Sequence, residues 1–465
     1  MRLRFGTDGV RGDTRTVLSA QAVAALGRAA AEILGDNAFA IGRDTRVSGA
    51  ALVGAMHAGV AAAGGSSVDL GIITTPGVAR WCCDHQVGGA VVSASHNPWH
   101  DNGVKFFAAG GSKLTETSQQ EIQRRFDRYL TAGDTSRGLA EECQKSVIDR
   151  HSQALSNHCQ ALIGSIDGRT FAGLKIVIDL ANGAATTIAK RVFAALDADL
   201  TVIHDSPDGY NINAGCGSTD LKSLQVAVVE NSADVGLAFD GDADRVLAVD
   251  ANGKLVDGDG IIAICALDRH QRAMLRANTV VVTTMTNLGF RLAMDAAGIK
   301  VVETEVGDRY VLETLNANGL ELGGEQSGHV IFRDLATTGD GLLTAVQLIG
   351  VMVRRSSSLA ALASNAMTAL PQVLTNVAVP KLLSQNETVA LRQLCAPLVD
   401  AAGARLAGKG RVLIRPSGTE PLIRVMVEAE TMTEAQMEAD ALAEAVKLFA
   451  EGSLAASNQR SELAD

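Results

Sequence analysis

The sequence predicts an α/β protein with three similar mixed α/β domains, followed by a smaller α+β C-terminal domain, around a central cleft. The chain of 465 residues is too long for a single hydrophobic core. Apolar runs typical of strands alternate with helix-like segments as far as about residue 370, and a β-α-β-β-α order follows. We predict the domains at 1–150, 151–257, 258–370 and 371–465.

The first predicted domain begins with a helix from Ser19, a favourable N-cap residue, to about Leu34. A strand over 38–42, a second helix capped by Ser48 and a strand near 68–71 follow. Strands that alternate with helices favour a parallel sheet. We therefore expect the functional residues on the loops at the carboxyl ends of the strands.

The same alternation predicts the later elements. They are a helix near 147–163, a strand and turn over 174–184, strands near 278–286 and 300–306, a helix that begins at Asp308, a strand over 376–380, and helices over 384–401 and 433–450. The polar, small-residue-rich end of the chain, from residue 452, predicts a frayed tail.

Composition and charge exclude several classes of protein. Aromatic residues make up 3% of the chain, which disfavours stacking platforms for single-stranded nucleic acid. A formal net charge of −11 disfavours nucleic acids and anionic membranes as partners, since both bind basic surfaces. The seven cysteines have no zinc or redox spacing, and the N-terminus has no apolar run. These features predict a cytoplasmic protein that acts on a small molecule.

The segment SASHNP follows a buried-looking strand near 89–92 and presents Ser95 as a candidate functional hydroxyl. A base-activated serine hydrolase is one interpretation, because His96 is adjacent. Neighbouring residues on an extended chain point to opposite sides, so we expect Ser95 and His96 not to pair. The G-x-S-x-G elbow of serine hydrolases is also missing from the sequence around Ser93 and Ser95.

The segment GLAFDGDADRVLAVD places Asp240, Asp242 and Asp244 at alternate positions in one tight loop between two apolar runs. Such carboxylates repel one another unless a cation gathers them, and oxygen ligands suit Mg²⁺ or Ca²⁺. An EF-hand does not fit, because Arg245 stands where that loop needs glycine and Ala251 where it needs glutamate. The pattern favours Mg²⁺ shared with a phosphate, with a solvated acidic hairpin as the alternative.

Two further loops carry polar chemistry. The segment RPSGTEPLIR predicts an anion-binding nest with flanking guanidinium groups, or else an ordinary hairpin turn; its residues are Arg415, Ser417, Gly418, Thr419 and Arg424. The segment GGEQSGH offers Glu325, Ser327 and His329 to sugar hydroxyls, or else forms a structural turn. Other cations on glycine-bearing loops, which could equally be solvated surface charges, are Arg11, Arg43, Arg46 and Lys105.

Together these four motifs resemble the α-D-phosphohexomutase family from end to end. SASHNP looks like its phosphoserine loop, DGDADR its metal loop, GEQSGH its sugar loop and RPSGTEP its phosphate loop. Within the family, FGTDGVRG, NINAGCGSTD and EVGDRYV are most similar to members that act on phosphorylated glucosamine. The first, second, third and fourth domains would accordingly carry the phosphoserine, metal, sugar and phosphate sites.

The resemblance implies an isomerase whose Ser95 carries a phosphoryl group. One Mg²⁺ ion per chain would be held by Ser95, Asp240, Asp242 and Asp244. Transfer of the phosphoryl group to the substrate would give a 1,6-bisphosphate intermediate, glucosamine 1,6-bisphosphate for an amino sugar. The residues of RPSGTEPLIR named above would bind the phosphate that is not reacting.

The attacking hydroxyl must lose a proton, and Lys105 is our candidate general acid/base, with His329 assisting. The reference pKa of lysine, about 10.4, would have to fall by roughly three units for this role. Arg11 stays protonated and suits electrostatic support, as does Arg245 beside the carboxylates. His96 would hold the phosphoserine loop by a structural hydrogen bond.

Three alternatives remain open from the sequence. The sugar could be that of a phosphomannomutase or a phosphoglucomutase. A Mg²⁺-dependent sugar phosphatase, or a phosphosugar-binding protein without catalysis, would use similar loops. A homodimer is compatible with the sequence, which does not specify the oligomeric state.

Overall fold

We describe the protein from a computed structural model covering residues 3–6, 9–35, 38–131, 147–383, 385–416 and 421–462. The chain forms two compact units. Unit 1 comprises Met1–Thr286 and Met294–Ala366, and unit 2 comprises Asn287–Ala293 and Met367–Asp465. Among the described residues, no helix combines the length and apolar character needed to cross a membrane.

The first sheet of unit 1 is mixed rather than purely parallel, with strand order β1-β2-β6-β5-β3-β4-β7. Its strands are β1 Phe5–Gly6, β2 Gly9–Asp13, β3 Phe39–Arg43, β4 Ser67–Ile72, β5 Gly89–Val92, β6 Asp101–Phe107 and β7 Val147–Asp149. Its helices are α1 Ala20–Leu34, α2 Gly49–Ala62, α3 Thr75–His85 and α4 Glu116–Thr131. Strands β5, β3, β4 and β7 run parallel, whereas β6, β2 and β1 are added antiparallel.

The predicted caps of the first two helices differ in outcome. Ser19 caps α1, and its Oγ accepts a hydrogen bond from the Ala22 amide at 3.2 Å. Ser48 precedes α2, but its side chain caps nothing and instead accepts from Asn102 Nδ2 at 2.9 Å. The two helices pack closely because Gly59 has no side chain: a Cβ there would lie 2.1 Å from the Ala24 carbonyl oxygen.

The second sheet has five strands in the order β12-β11-β10-β8-β9. They are β8 Lys175–Asp179, β9 Asp199–Ile203, β10 Val235–Phe239, β11 Val246–Asp250 and β12 Leu255–Val256, with helices α5 His151–Gly164, α6 Ala189–Ala195 and α7 Lys222–Glu230. The helix predicted near 147–163 begins only at His151, because Val147–Asp149 pairs with β4 as β7. Strands β10 and β11 form an antiparallel hairpin.

The third sheet has the strand order β14-β13-β15-β16. Its strands are β13 Thr279–Thr283, β14 Lys300–Thr304, β15 Leu322–Gly324 and β16 Val330–Phe332. The helices along this stretch of the chain are α8 Gly258–Gln271, α9 Leu288–Ala296, α10 Asp308–Asn318, α11 Gly341–Arg355 and α12 Leu359–Ala366. Most of α9, as far as Ala293, belongs to unit 2. The three sheets of unit 1 confirm the α/β fold class.

Unit 2 contains a three-stranded antiparallel sheet in the order β17-β19-β18. Its elements are β17 Gln372–Ala378, α13 Gln385–Arg405, β18 Arg411–Pro416, β19 Leu422–Glu428 and α14 Met432–Glu462. This is the predicted β-α-β-β-α order. The prediction of a frayed tail from residue 452 was wrong as far as Glu462, because α14 continues through that segment.

Candidate active site

Ser95 lies in the segment that joins β5 to β6, and we call residues 93–101, which include the first residue of β6, the serine loop. Its backbone has a φ of +54°, in the left-handed region that residues other than glycine seldom adopt. The Ser95 amide donates to Ser93 Oγ at 2.9 Å, and the Ser93 hydroxyl donates to Asp44 Oδ2 at 2.7 Å. The side chain of Ser95 is buried, so local hydrogen bonds rather than solvent determine where its hydroxyl points.

The prediction that Ser95 and His96 do not pair was wrong. Ser95 Oγ lies 3.2 Å from His96 Nδ1, because alternation of side chains holds for extended backbone and Ser95 is left-handed. Burial, with Arg245 and Arg11 nearby, lowers the pKa of His96 to about 4. The imidazole is therefore neutral at neutral pH.

The carboxylate loop, Asp240–Asp244, joins β10 to β11. The side chains of Asp240, Asp242 and Asp244 are all buried, and a carboxylate oxygen from each lies within 4.8 Å of the others. The alternative of a solvated acidic hairpin is excluded by this burial. Gly241 lets the loop approach the serine loop, because a Cβ at this position would lie 2.6 Å from the Ser95 carbonyl oxygen.

Contacts between distant segments assemble the site. Ser95 Oγ donates to Asp240 Oδ2 at 2.6 Å, across 145 residues of sequence. Lys105, on β6, donates from Nζ to Asp242 Oδ2 at 2.9 Å and to Asp244 Oδ2 at 2.8 Å. The hydroxyl, the ammonium group and the three carboxylates thus form one buried cluster.

Thr75 also contributes to this cluster, although the sequence did not single it out as a functional residue. Its Oγ1 donates to Asp242 Oδ2 at 2.6 Å, and its amide donates to the Asp242 carbonyl oxygen at 3.0 Å. Thr75 begins α3 just beyond the carboxyl end of β4. In the sequence, the signal for Thr75 is its position just after β4, at the edge of the sheet where functional loops are expected.

The electrostatics of the carboxylate loop are strongly perturbed. Burial, together with repulsion from Asp244 and Asp242, raises the pKa of Asp240 well above its ordinary value. Burial would also raise the pKa of Asp244, but Lys105 and His329 overcome it and hold this pKa well below the ordinary value. The pKa values of Asp240 and Asp244 are thus displaced in opposite directions within one loop.

The carboxylate loop fits a divalent metal ion. Asp242 Oδ1 and Asp244 Oδ1 are buried without a hydrogen-bond partner among the described residues, so each has a lone pair available for a ligand. Oxygen ligands of this kind suit Mg²⁺. The residues in place to hold the ion are Ser95, Asp240, Asp242 and Asp244.

The GEQSGH segment connects β15 to β16. Glu325 accepts from the Gly307 amide at 3.1 Å, and burial and Asp308 raise the pKa of its carboxyl group. The hydroxyl of Ser327 is buried and has no hydrogen-bond partner within the described part of the chain. The Glu325 carboxyl group and the Ser327 hydroxyl could therefore form hydrogen bonds with a ligand.

His329, whose segment the sequence assigns to sugar hydroxyls, is buried beside the carboxylate loop. Its Nδ1 lies 3.6 Å from Asp244 Oδ1, and its Nε2 lies 3.5 Å from Asp308 Oδ2. Burial would lower the pKa of His329, but the contact with Asp244 raises it overall. Asp308 stands in the first turn of α10 after the N-cap Gly307 and pairs with Lys113.

Two further arginines of unit 1, Arg245 and Arg11, act electrostatically on this part of the site. The Arg245 amide donates to Asp240 Oδ1 at 3.1 Å, and its Nε lies 3.8 Å from Asp244 Oδ1. Arg11 is half-buried on β2, paired in register with Gly103 of β6. Both arginines lower the pKa of His96 electrostatically.

The arginine hairpin of unit 2 consists of β18 and β19. Arg415 and Arg424 are directly opposite one another across the two strands. Burial and the charge of Arg424 lower the pKa of Arg415. Like charges in such a pair destabilise a sheet unless an anion accompanies them. Ser417, Gly418 and Thr419, predicted to form the nest between the strands, lie outside the described residues.

Comparison with protein families gives four consecutive matches along the chain. They are phosphoglucomutase/phosphomannomutase alpha/beta/alpha domain I at residues 2–132, domain II at 149–253, domain III at 257–370 and the C-terminal domain at 374–445. Among curated proteins, phosphoglucosamine mutase of Thermobifida fusca is 48% identical over 452 residues, covering 95% of this chain and 98% of that protein.

Solved structures show the same fold. A phosphoglucomutase/phosphomannomutase family protein from Burkholderia thailandensis matches with a TM-score of 0.77 and 23% identity, covering 95% of this chain and 97% of the other. N-acetylphosphoglucosamine mutase of Aspergillus fumigatus, in complex with GlcNAc-6P and magnesium, matches with a TM-score of 0.67 and 18% identity, covering 96% of each chain.

Proposed function

The chain belongs to the phosphoglucomutase/phosphomannomutase family of phosphosugar mutases, and we propose that it interconverts glucosamine 6-phosphate and glucosamine 1-phosphate. The observation that carries this proposal is the hydrogen bond of 2.6 Å from Ser95 Oγ to Asp240 Oδ2 inside the buried carboxylate cluster. The choice of an amino sugar rests on the relatives named phosphoglucosamine mutase.

The proposed reaction has two phosphoryl transfers. In the first, the free hydroxyl of the substrate attacks phosphorylated Ser95; the bond from phosphorus to Ser95 Oγ breaks, and a bond to the sugar oxygen forms. The product is glucosamine 1,6-bisphosphate. In the second transfer, Ser95 Oγ attacks the other phosphate of this intermediate, which restores the phosphoserine and releases the isomeric monophosphate.

The buried cluster supports phosphate chemistry at Ser95. A phosphoserine carries about −1.5 to −2 charges, which three nearby carboxylates would repel without a cation. Mg²⁺, when bound by Ser95, Asp240, Asp242 and Asp244, would supply the missing positive charge. Positioning and charge neutralisation account for most of the catalysis of phosphoryl transfer.

We assign proton transfer to Lys105, with His329 assisting. Lys105 Nζ is buried and donates hydrogen bonds of less than 3 Å to two carboxylates. It would exchange protons with the attacking hydroxyl and the leaving oxygen once those carboxylates bind other partners. Arg11 and Arg245 would support the developing charge, and His96 would orient the serine loop.

Substrate binding is assigned to the two remaining loops. Glu325 and Ser327 would bind sugar hydroxyls through the carboxylate and the unpartnered hydroxyl. The phosphate that is not reacting would bind to Arg415, Ser417, Gly418, Thr419 and Arg424. The paired guanidinium groups of the arginine hairpin support this assignment.

The test is turnover of glucosamine 1-phosphate against glucose 1-phosphate by the purified chain, with Mg²⁺ and a sugar bisphosphate activator, followed by ³¹P NMR. We expect isomerisation, with glucosamine 1-phosphate preferred. Preference for glucose or mannose phosphates would favour phosphoglucomutase or phosphomannomutase activity. Stoichiometric release of inorganic phosphate would indicate a phosphatase, and binding without isomerisation a non-catalytic protein.

We also propose a cytoplasmic location, supported by the six described cysteines, all of which are free thiols. We propose that the chain forms a homodimer, which light scattering on the purified chain would test.

A further inference from the structure

We propose that Arg46 and Asn213 are positioning residues that hold the main chain of the serine loop from two sides and so direct Ser95 Oγ at the carboxylate loop. This inference rests on the proposed function, because it concerns the phosphorylated hydroxyl. Neither residue reaches the Ser95 hydroxyl itself, and both bind the Ser95 carbonyl oxygen at 2.9 Å.

Arg46 uses all five of its guanidinium N–H groups. Its Nη2 donates to the carbonyl oxygens of Ser95 and Asn97, each at 2.9 Å. Its Nη1 donates to the carbonyl oxygens of Asp101, at 2.9 Å, and Pro98. One side chain thus binds four carbonyl groups of the serine loop, and its Nε remains for Asp44.

Asp44 holds Arg46 in place and is also linked, through the Ser93 hydroxyl, to the Ser95 amide. Arg46 Nε donates to Asp44 Oδ2 at 2.8 Å, and both side chains are fully buried. The same carboxylate oxygen accepts from the Ser93 hydroxyl, which in turn accepts from the Ser95 amide. A single buried ion pair is therefore connected to both the amide and the carbonyl group of Ser95.

Asn213 approaches from the region of the second sheet. Its Nδ2 donates to the carbonyl oxygens of Ser95 at 2.9 Å and Asn97 at 3.2 Å, the same two groups that Arg46 Nη2 binds. The backbone amide of Asn213 donates a hydrogen bond to the Ala181 carbonyl oxygen at 2.9 Å, which holds this residue in place. The serine loop is thereby tied to the part of the chain that carries the carboxylate loop.

The conformation of Ser95 explains why the hydrogen bonds from Arg46 and Asn213 are needed. A serine at φ +54° is strained, and local hydrogen bonds must maintain this conformation. A rotation of this backbone would move Oγ away from Asp240. A misplacement of about 1 Å costs on the order of 100-fold in rate when reacting groups must be aligned.

The test compares Arg46→Lys and Asn213→Gly with a matched control, Arg269→Lys. Lysine keeps the charge beside Asp44 but has three donors for five acceptors. Replacing Asn213 by glycine removes the side-chain amide group, and glycine tolerates the φ of +58° found at this position. Arg269 is another buried arginine, paired with Asp334 and donating to the Met274 carbonyl oxygen.

We expect kcat of Arg46→Lys to fall by about 100-fold and that of Asn213→Gly by about 10-fold, each with KM within a few-fold of wild type. The rate at which glucose 1,6-bisphosphate loads Ser95, followed by intact mass, should fall in parallel. The thermal stabilisation by Mg²⁺ should persist, because the aspartates are unchanged. Arg269→Lys should lower the melting temperature without lowering kcat.

The proposal is overturned if kcat falls no further in Arg46→Lys than in Arg269→Lys while the melting temperatures of the two variants fall by the same amount. If Arg46→Lys fails to fold, Asn213→Gly decides, and a kcat within two-fold of wild type overturns the proposal. Wild-type turnover is measured first: absence of isomerisation counts against the proposed function, whereas normal wild-type turnover with unaffected variants counts against the positioning role alone.

Discussion

The buried cluster of unit 1 and the arginine hairpin of unit 2 concentrate opposite charges by different means. The cluster gathers three carboxylates, and its contacts with Ser95 and Lys105 join residues 137 to 145 positions apart in sequence. The arginine hairpin places Arg415 opposite Arg424 through the register of two consecutive strands. The first arrangement depends on packing across unit 1, and the second on local pairing.

This difference indicates which ligand each region is prepared for. Lys105 balances part of the negative charge of the cluster, and two carboxylate oxygens have no hydrogen-bond partner in the described chain, which suits a metal cation. The arginine hairpin has paired positive charges and suits an anion. Substitutions in the two regions should therefore alter different kinetic constants.

The largest effect is expected for Ser95→Ala. Removing the residue that carries the phosphoryl group should lower kcat by at least about 10⁴-fold, as for other catalytic nucleophiles. Circular dichroism should show an intact fold, and the exposed Ser66→Ala serves as the control. Activity near that of wild type would rule out Ser95 as the phosphorylated residue.

A smaller loss is expected for Asp242→Asn. The substitution removes one negative charge from the proposed metal ligands, and kcat should fall by roughly 10² to 10³-fold. Titration with Mg²⁺ should show that a higher concentration is needed for half-maximal activity. Asp84→Asn, in an exposed pair with Arg80, is the control. An unchanged Mg²⁺ requirement would contradict the assignment of the carboxylate loop as the metal site.

Arg415→Met should act mainly on substrate affinity. Loss of a charged hydrogen bond to phosphate, worth about 1.5–3 kcal/mol, should lower kcat/KM by roughly 10 to 100-fold, chiefly through KM. Relief of repulsion from Arg424 should leave unit 2 as stable as before or more so. Steady-state kinetics and thermal unfolding check both effects, with Arg405→Lys, paired with Glu438, as the control. A fall in kcat alone would contradict a binding role.

The smallest effect concerns metal binding without catalysis. Mg²⁺ at about 10 times its dissociation constant should stabilise the wild-type chain by about 1.4 kcal/mol, because it binds only the folded cluster. Calorimetry should show a higher melting temperature with Mg²⁺ than with a chelator. At the same Mg²⁺ concentration, Asp242→Asn should show a smaller response, and Arg415→Met should keep the wild-type response. Equal stabilisation of both variants by Mg²⁺ would contradict the assignment of metal binding to the carboxylate loop alone.

Local pattern predicted most elements of the fold. The N-cap at Ser19, the β10–β11 hairpin around the aspartates and the β18–β19 hairpin around the arginines all follow from residues close in sequence. Two of the wrong predictions concern segments for which a partner distant in sequence competes with the local option. Val147–Asp149 joins a distant strand instead of the following helix, and the Ser48 hydroxyl bonds to Asn102 instead of capping α2.

By itself, the sequence determined the fold class, the order of the elements and the chemical identity of four loops, because apolar periodicity and turn residues act over a few positions. Only the tertiary structure decided that Ser95 is left-handed and bonded to Asp240, that His329 lies beside Asp244, and that Arg46 binds four carbonyl groups. These contacts depend on how whole sheets pack and bury polar groups, a long-range outcome that local sequence patterns do not encode.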